Sequence, residues 1–423
     1  MNKQECAIKY VEDNYLQFNS LRHDIIADKL QVRCAHPIGD RLEAKGERQE
    51  QWREMTKHDI NSIVCHAAQE YDANITSREV MTALQSDLIP DVHPLREYVL
   101  SCGEWTEEQP DWIDWVASQV RVKPLGDEAK GDKARGERLW RACFKKWFVA
   151  MVASWMKDEV VNHQVLVLIG KQGIFKTTWL EHLIPPHLRA YACKLANSND
   201  LNKDERLRIA EFGLISLDEI DSMNNRELNQ LKSVITATDV NERAAYAYTK
   251  ERRVRLASFC ASGNRRDFLT DITGNRRWLP FEVESIQSPF TTILPYERMY
   301  AQAWALAQDP LFSYWFDLEE IEVLEQHNQY FRDESNEEQL LPILFDVPAE
   351  DRGEFMTTAQ ISERLVTYGN IKKPMALSRL GMVLGAAGYR STRPKIGGRL
   401  IRGWLVYQRD TDEVASLRRL LKE

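Results

Sequence analysis

The stretch Val165 to Leu180, VLVLIGKQGIFKTTWL, decides the fold. Five apolar residues without a break read as a strand buried on both faces, the pattern of a parallel sheet covered by helices. A short loop follows from Gly170, and Lys176-Thr177-Thr178 opens a helix. Strand, loop and helix in this order aim backbone N–H groups and a helix N-terminus at one point, which is an anion nest for phosphates. The pattern is G-x-x-x-x-G-K-[ST] with one departure, because Phe175 stands where the second glycine is expected. On this reading Gly170, Lys171, Gln172, Gly173, Ile174, Phe175, Lys176, Thr177 and Thr178 hold a nucleoside triphosphate. The Lys176 ammonium reaches the β- and γ-phosphates, and the Thr177 hydroxyl takes Mg²⁺. Gly173 can supply a positive φ, whereas a phenylalanine at 175 is expected in an ordinary backbone conformation with its side chain turned from the phosphates.

Outward from this loop, strands and helices alternate between residues 160 and 285. Further buried strands are expected in GLISLDEI (213–220) and RLASFCAS (255–262). The first ends on Asp218-Glu219. Asp218 is the expected metal carboxylate, and Glu219 the group that orients or deprotonates water. The second ends on Asn264, a polar residue suited to sensing the terminal phosphate. Arg276 and Arg277 follow a Gly-Asn turn, and a guanidinium there suits charge neutralisation on a neighbouring subunit's phosphoryl group. The other reading of this pair is surface arginines beside a turn.

Upstream, LWRACFKKWFVAMVASWM (139–156) carries two adjacent apolar stripes and predicts a buried helix. VKPLGDEAKGDKARGER before it reads as a linker. Residues 1–122 predict a small α-rich unit. YLQFNSLRHD and KLQVRC suit a hairpin there, and Thr56 to Asp59 and the capping box Thr76-Ser77-Arg78-Glu79 start helices.

The net charge of −8 argues against a polyanionic partner until its distribution is read. Asp309 to Asp351 holds thirteen acidic residues against Arg332, about −12. From 352 to 409 there are eleven basic residues against Glu354 and Glu363, about +9. This C-terminal stretch predicts two helices, TTAQISERLVTYG and KPMALSRLGMVLGAAGY. A hairpin turning at Gly397-Gly398 follows, the arrangement of a winged helix. Arg379, Arg390, Arg393, Lys395, Arg399 and Arg402 are then candidate contacts for duplex DNA. A second candidate surface is NERAAYAYTKERRVRLASF (241–259). Its Arg243, Lys250, Arg252, Arg253 and Arg255 alternate with Tyr246 and Tyr248, a pattern suited to single strands.

In their order, GKQGIFKTT, LISLDEID, FCASGN and DITGNRRW make the chain resemble the virulence-associated protein E family of phage and mobile-element proteins, which is similar to superfamily 3 helicases. The resemblance spans roughly residues 85–285, VHPLREYVLSCGEW (92–105) included. It implies ATP and Mg²⁺, ATP hydrolysis with DNA unwinding or remodelling, and a ring of subunits, taken as a hexamer. It implies catalytic roles for Lys176, Glu219, Asn264 and Arg276 or Arg277. A hairpin before the sensor strand would hold DNA in the ring channel through Arg243, Tyr248, Lys250, Arg252 and Arg253.

The fold expected is α/β: a P-loop, AAA+-like ATPase core over 135–308, an α-rich domain over 1–122, an acidic connector over 309–350 and a winged-helix-like domain over 351–423. The rival function is a nucleotide-switched DNA-binding regulator with little unwinding. No primase motif set is present, so any priming would fall to a separate chain. Seven scattered cysteines without a C-x-x-C pair, no long apolar run and no exported-leader pattern point to a cytoplasmic protein without a membrane partner.

Overall fold

The computed structural model describes residues 1–33, 52–125, 134–195, 207–242, 251–269, 275–349, 353–410 and 413–414. The N-terminal unit is a small sheet with three helices against it. Its strands are β1 (Leu21–Asp24), β2 (Lys29–Val32), β3 (Arg53–Glu54) and β4 (Asp91–Val92), ordered β3-β2-β1-β4. β1 and β2 form the antiparallel hairpin expected from the sequence. Thr56 and Thr76 cap the helices Lys57–Glu70 and Ser77–Leu84, and in each the third helical residue reaches back to the cap N–H. Ile63, Ala67, Val80 and Leu84 close this unit's own core.

The central sheet contains β5 (Val120–Val122), β6 (Val165–Ile169), β7 (Ala192–Leu195), β8 (Leu214–Leu217), β11 (Ser258–Gly263) and β12 (Trp278–Ile286). Its order is β5-β12-β6-β11-β8-β7, and a two-stranded ribbon, β9 (Asp239–Glu242) with β10 (Glu251–Val254), stands outside it. All pairs in the sheet are parallel except β5 with β12. Every residue of β6, β8 and β11 is buried, as the unbroken apolar runs predict for strands covered on both faces.

The helix Ala134–Met156 lies across one face of this sheet and carries both predicted stripes inward. Its indoles also satisfy backbone carbonyls. Trp140, Trp147 and Trp155 donate their Nε1–H to the carbonyls of Ala117 (2.9 Å), Phe259 (3.1 Å) and Gly213 (3.1 Å). A buried indole N–H without a partner would be costly, so these contacts fix both position and rotation of the helix.

Two expected boundaries move. The helices Pro94–Ser101 and Trp112–Ala117 bury Leu95, Val99, Ile113 and Val116 in the central core, and β5 extends the central sheet. The N-terminal unit therefore ends near residue 92 rather than 122. The physical cause is β5: three residues are too short to read as a strand until β12 offers an open edge. Nor is 309–350 a connector. The acidic helix Leu318–Asn328 buries Leu324, and His327 bonds to the carbonyl of Pro280 at 2.7 Å. Asn328 donates to the carbonyls of Asn275 (2.8 Å) and Trp278 (3.0 Å). The charges sit on the solvent face of a packed helix, which a count along the chain cannot distinguish from a solvated tether.

The C-terminal unit starts with the helix Asn336–Leu344, because Leu341 and Phe345 pack with Ile361, Leu380 and Trp404. After β13 (Phe345–Asp346) come β14 (Glu354–Met356), helices Thr358–Gly369 and Leu377–Ala386, and β15 (Arg390–Thr392). The hairpin β16 (Lys395–Ile396) with β17 (Arg399–Leu400) leads into β18 (Gly403–Gln408), on which β13, β14 and β15 all pair. Gly397 and Gly398 have φ of 58° and 83°, the pair of left-handed residues that a tight two-residue hairpin turn needs. Among the described residues, no helix is long and apolar enough to cross a membrane.

Candidate active site

The loop after β6 emerges from the middle of the parallel sheet, between β12 and β11, at the C-terminal edge of the strands. Crevices there are where open α/β sheets bind ligands. The Gly170 N–H donates to the Gly263 carbonyl at 3.1 Å, tying the start of this loop to the end of β11. Gly173 has φ +85°, as expected. Phe175 overturns the expectation made for it. Its φ of 66° and ψ of 17° are left-handed, so the position keeps the backbone of the absent glycine at a cost of about 1–2 kcal/mol. Its ring is exposed at the cavity rim and meets Phe290 edge-on, centroids 6.0 Å apart.

Lys176 is only 7% exposed. Its ammonium donates to the carbonyls of Gly170 (2.8 Å) and Lys171 (2.7 Å) and to Asn264 Oδ1 (3.3 Å). Burial lowers its pKa, and the charges of Asp221 and Asp218 oppose that shift. Thr177, one residue on, places Oγ1 2.8 Å from Ser262 Oγ and 3.3 Å from Asp218 Oδ1. Ser262 donates to the same Asp218 oxygen at 2.8 Å. Burial raises the Asp218 pKa, but hydrogen bonds from Lys194, Ser262 and Thr177 outweigh it and hold the group ionised at lower pH.

Glu219 is exposed beside this cluster, with left-handed backbone of φ 53° and ψ 46°. Two non-glycine residues held left-handed around one cavity fit the rule that strain collects at functional sites. The cavity has a volume of about 310 Å³ and is lined by Gln172, Gly173, Phe175 to Thr178, Asp218, Glu219 and Ser262 to Asn264. Five expected residues, Lys176, Thr177, Asp218, Glu219 and Asn264, thus meet in one place.

Three more residues shape the site without having been singled out. Ser262 is a hydroxyl inside an apolar strand, a signal present in FCASGN. Asp221 accepts from the backbone N–H groups of Asn264 (3.1 Å) and Arg265 (3.2 Å), and so holds the turn that follows β11. A Cβ at Gly263 would lie 2.8 Å from its Oδ1, so the approach requires glycine. The D-E-I-D spacing carried that signal. Lys194 reaches Asp218 Oδ2 at 2.9 Å from the edge strand β7, and no motif marks it.

Arg276 and Arg277 lie elsewhere. They precede Trp278, which pairs with Val165 at the far end of β6. At about 3.3 Å per residue the pair sits roughly 13 Å along the strand from the loop, on the opposite edge of the sheet. They cannot serve the cavity of their own chain.

The candidate DNA contacts divide. Arg243, Tyr246, Tyr248 and Lys250 fall outside the described residues, and Arg252 is described for its backbone in β10 alone. Arg253 forms ion pairs with Asp28 (3.5 Å) and Glu211 (3.6 Å). Arg255 is a correction: it is fully buried, with its pKa lowered to about 9 by burial. It donates to the carbonyls of Ala257 (3.0 Å), Ala237 (3.2 Å), Asn162 (2.9 Å), Val234 (3.4 Å) and Ile235. It caps the helix Asn225–Thr236 and is closed to any ligand. In the C-terminal unit Lys395 and Arg399 on the β16–β17 hairpin and Arg393 just before it are exposed, and Arg379 is half-buried on Leu377–Ala386.

Residues 129–337 match the model of the virulence-associated protein E-like domain. Two solved structures follow a similar course. The A form apo structure of the NrS-1 C-terminal region is 12% identical and covers 93% of this chain and 98% of its own, with a TM-score of 0.45. A second apo structure of that region, also 12% identical, covers 95% and 99%, with a TM-score of 0.44. No curated protein matches the chain.

Proposed function

Residues 129–337 belong to the virulence-associated protein E-like family, and from this membership we propose that the chain is an ATP-hydrolysing DNA helicase or replication ATPase of a phage or mobile genetic element. The observation that carries the proposal is the meeting of Lys176, Thr177, Asp218, Glu219 and Asn264 around one cavity beside a loop that opens a helix. Lys176 is a nearly buried cation at the mouth of a backbone nest, held by two carbonyls and an amide oxygen, and so suited to phosphate oxygens. Thr177, Ser262 and Asp218 offer two hydroxyls and a carboxylate, the hard oxygen donors that Mg²⁺ prefers. The metal would neutralise charge on the phosphates. Glu219 is free to orient a water, and Asn264 faces the same space from the end of β11.

Arg276 and Arg277, excluded from their own cavity, act in this reading on the cavity of a neighbouring chain in a ring, taken as a hexamer. The order helix, two strands, two helices, strand, hairpin, strand in the C-terminal unit supports a winged helix. Duplex DNA would meet its wing at Arg393, Lys395 and Arg399 and its second helix at Arg379. The channel hairpin would carry Arg243, Tyr248, Lys250 and Arg252 to single strands. Arg253, already ion-paired, drops out of this set. A primase, where needed, is a separate chain, and the protein works in the bacterial cytoplasm.

One observation favours a second reading, a nucleotide-switched DNA-binding regulator with little unwinding: the loop carries Phe175 where the usual pattern has its second glycine. ATP hydrolysis by wild type and Lys176→Ala, with and without single-stranded DNA, is measured alongside unwinding of a forked duplex. DNA-stimulated hydrolysis lost in Lys176→Ala, together with unwinding, supports the helicase. Hydrolysis without unwinding supports the switch. Normal turnover in Lys176→Ala refutes both.

A further inference from the structure

Beyond the phosphate-binding residues, a small aromatic group stands beside the cavity: Phe175 lines it, and Phe290, outside the lining, touches the rings of Phe175 and His182. Phe290 lies in the loop between β12 and the helix Tyr296–Gln308 and is 72% exposed. The loop leaves the sheet at the edge where the cavity lies. It is not a loose excursion. The Ser288 carbonyl accepts from the N–H groups of Thr291 and Thr292, both at 3.1 Å. Leu294 is buried in the central core. Tyr296 donates to the carbonyl of His182 at 2.7 Å, and Tyr300 to that of Leu183 at 3.0 Å. These bonds moor the loop to the end of the helix that Lys176 opens.

Phe290 is one of several exposed large apolar side chains, which singly need no explanation; what singles it out is its contact with Phe175, which lines the polar cavity. Its neighbours are aromatic. Phe290 meets Phe175 at 6.0 Å and 82°, and His182 at 5.9 Å and 85°. Both contacts are edge-to-face, so neither ring is stacked face to face with it. Phe175 lines the cavity and adjoins Lys176 in the chain, which places the aromatic group one residue from the phosphate cation. Its left-handed backbone, adopted at a cost by a residue other than glycine, sets the ring at this rim.

We propose that Phe290, supported by Phe175 and His182, is the stacking platform for the base of the nucleotide whose phosphates bind at Lys176. This rests on the nucleotide reading above and adds where the base goes and what recognises it. Every base has a π-face, and an aromatic platform holds it without reading its hydrogen-bonding edge.

The test is a binding titration of the full chain with an ATP analogue fluorescently labelled on the ribose, competed by ATP and by inorganic tripolyphosphate. Phe290→Ala weakens ATP about five- to 150-fold, the range for one aromatic–base stack. It leaves tripolyphosphate within about twofold, because no phosphate contact is touched, and Phe290→Trp keeps ATP near wild type. Lys176→Ala weakens both competitors. Unchanged ATP affinity in Phe290→Ala, or parallel loss of ATP and tripolyphosphate, overturns the platform alone. So does a variant that dissociates assembled chains in sedimentation while binding ATP normally, since Phe290 is then a contact between chains. A wild-type chain that binds neither ligand overturns the nucleotide reading and the platform with it.

Discussion

Replacing Asp221 with alanine tests whether Asn264, which we propose senses the terminal phosphate, is placed by a carboxylate whose hydrogen bonds all go to the turn that carries it. The Asp221 carboxylate, 8% exposed, accepts from two backbone N–H groups at 3.1 and 3.2 Å and from Arg265 Nε at 3.4 Å. Hydrogen bonds to a charged group are worth about 1.5–3 kcal/mol each. Taking the low end for these lengths, and discounting the exposed Arg265 side chain, about 3 kcal/mol fixes the turn that carries Asn264. That energy corresponds to roughly a hundredfold change in occupancy of the poised turn. Asn264 keeps its contact to Lys176 at 3.3 Å, so part of the placement survives. The expected fall in kcat for ATP hydrolysis is therefore about ten- to a hundredfold, with KM changed less than about threefold because the 170–178 loop is intact. Asp221→Asn, which keeps one acceptor, falls between. Steady-state ATPase assays beside thermal melts decide it. An unchanged kcat, or a rise in KM that accounts for the whole loss, refutes the reasoning.

Further outcomes are expected. Glu219→Gln binds ATP and does not turn it over, since a carboxamide is a poor base, and a single-turnover assay at wild-type rate would place the base elsewhere. Arg255→Met leaves several carbonyls around the helix Asn225–Thr236 without a partner. At about 1 kcal/mol each it lowers stability by about 3–4 kcal/mol, seen as a lower melting temperature. Selective loss of DNA binding at unchanged melting would reverse the structural assignment of Arg255. A chain ending after Glu334 keeps ATPase activity and loses duplex affinity. The four exposed cations Arg393, Lys395, Arg399 and Arg402 set the salt dependence of the full chain at a slope of about −3.5 in log K against log salt. Anisotropy titrations showing equal duplex binding by the two chains would make the C-terminal unit a protein-interaction module.

The parts of the site that are contiguous in sequence were legible there. An unbroken apolar strand, a loop and Lys176-Thr177 form one local unit, and backbone geometry brings the ends of β8 and β11 beside it. What was not legible depends on partners distant in the chain. Lys194 meets Asp218 only because β7 pairs with β8. Arg255 sits in a run of basic residues that looks like a DNA-binding surface, yet the chain turns it inward onto helix carbonyls. β5 becomes a strand because β12 has a free edge, and this shifted the N-terminal boundary by some thirty residues. Phe175 is a different failure: steric rules favour an ordinary backbone there, and the loop overrides them. The cutting point for the C-terminal unit moved for a related reason, since Leu341 and Phe345 belong to a core whose other members come later in the chain.

The three indole bonds from the helix Ala134–Met156 have a mechanical consequence. They clamp it to β11, to the start of β8 and to the end of the helix Trp112–Ala117, so it cannot slide across the sheet or roll without breaking buried bonds together. Sheet and helix then move as one body. The Asp28–Arg253 ion pair links the N-terminal unit to β10, but beside it the Tyr191 hydroxyl donates to the buried Asp24 carboxylate at 2.6 Å and Ile26 is buried in the central core. The N-terminal unit is therefore fastened to the same body by buried contacts, and salt that weakens the exposed ion pair leaves that attachment in place.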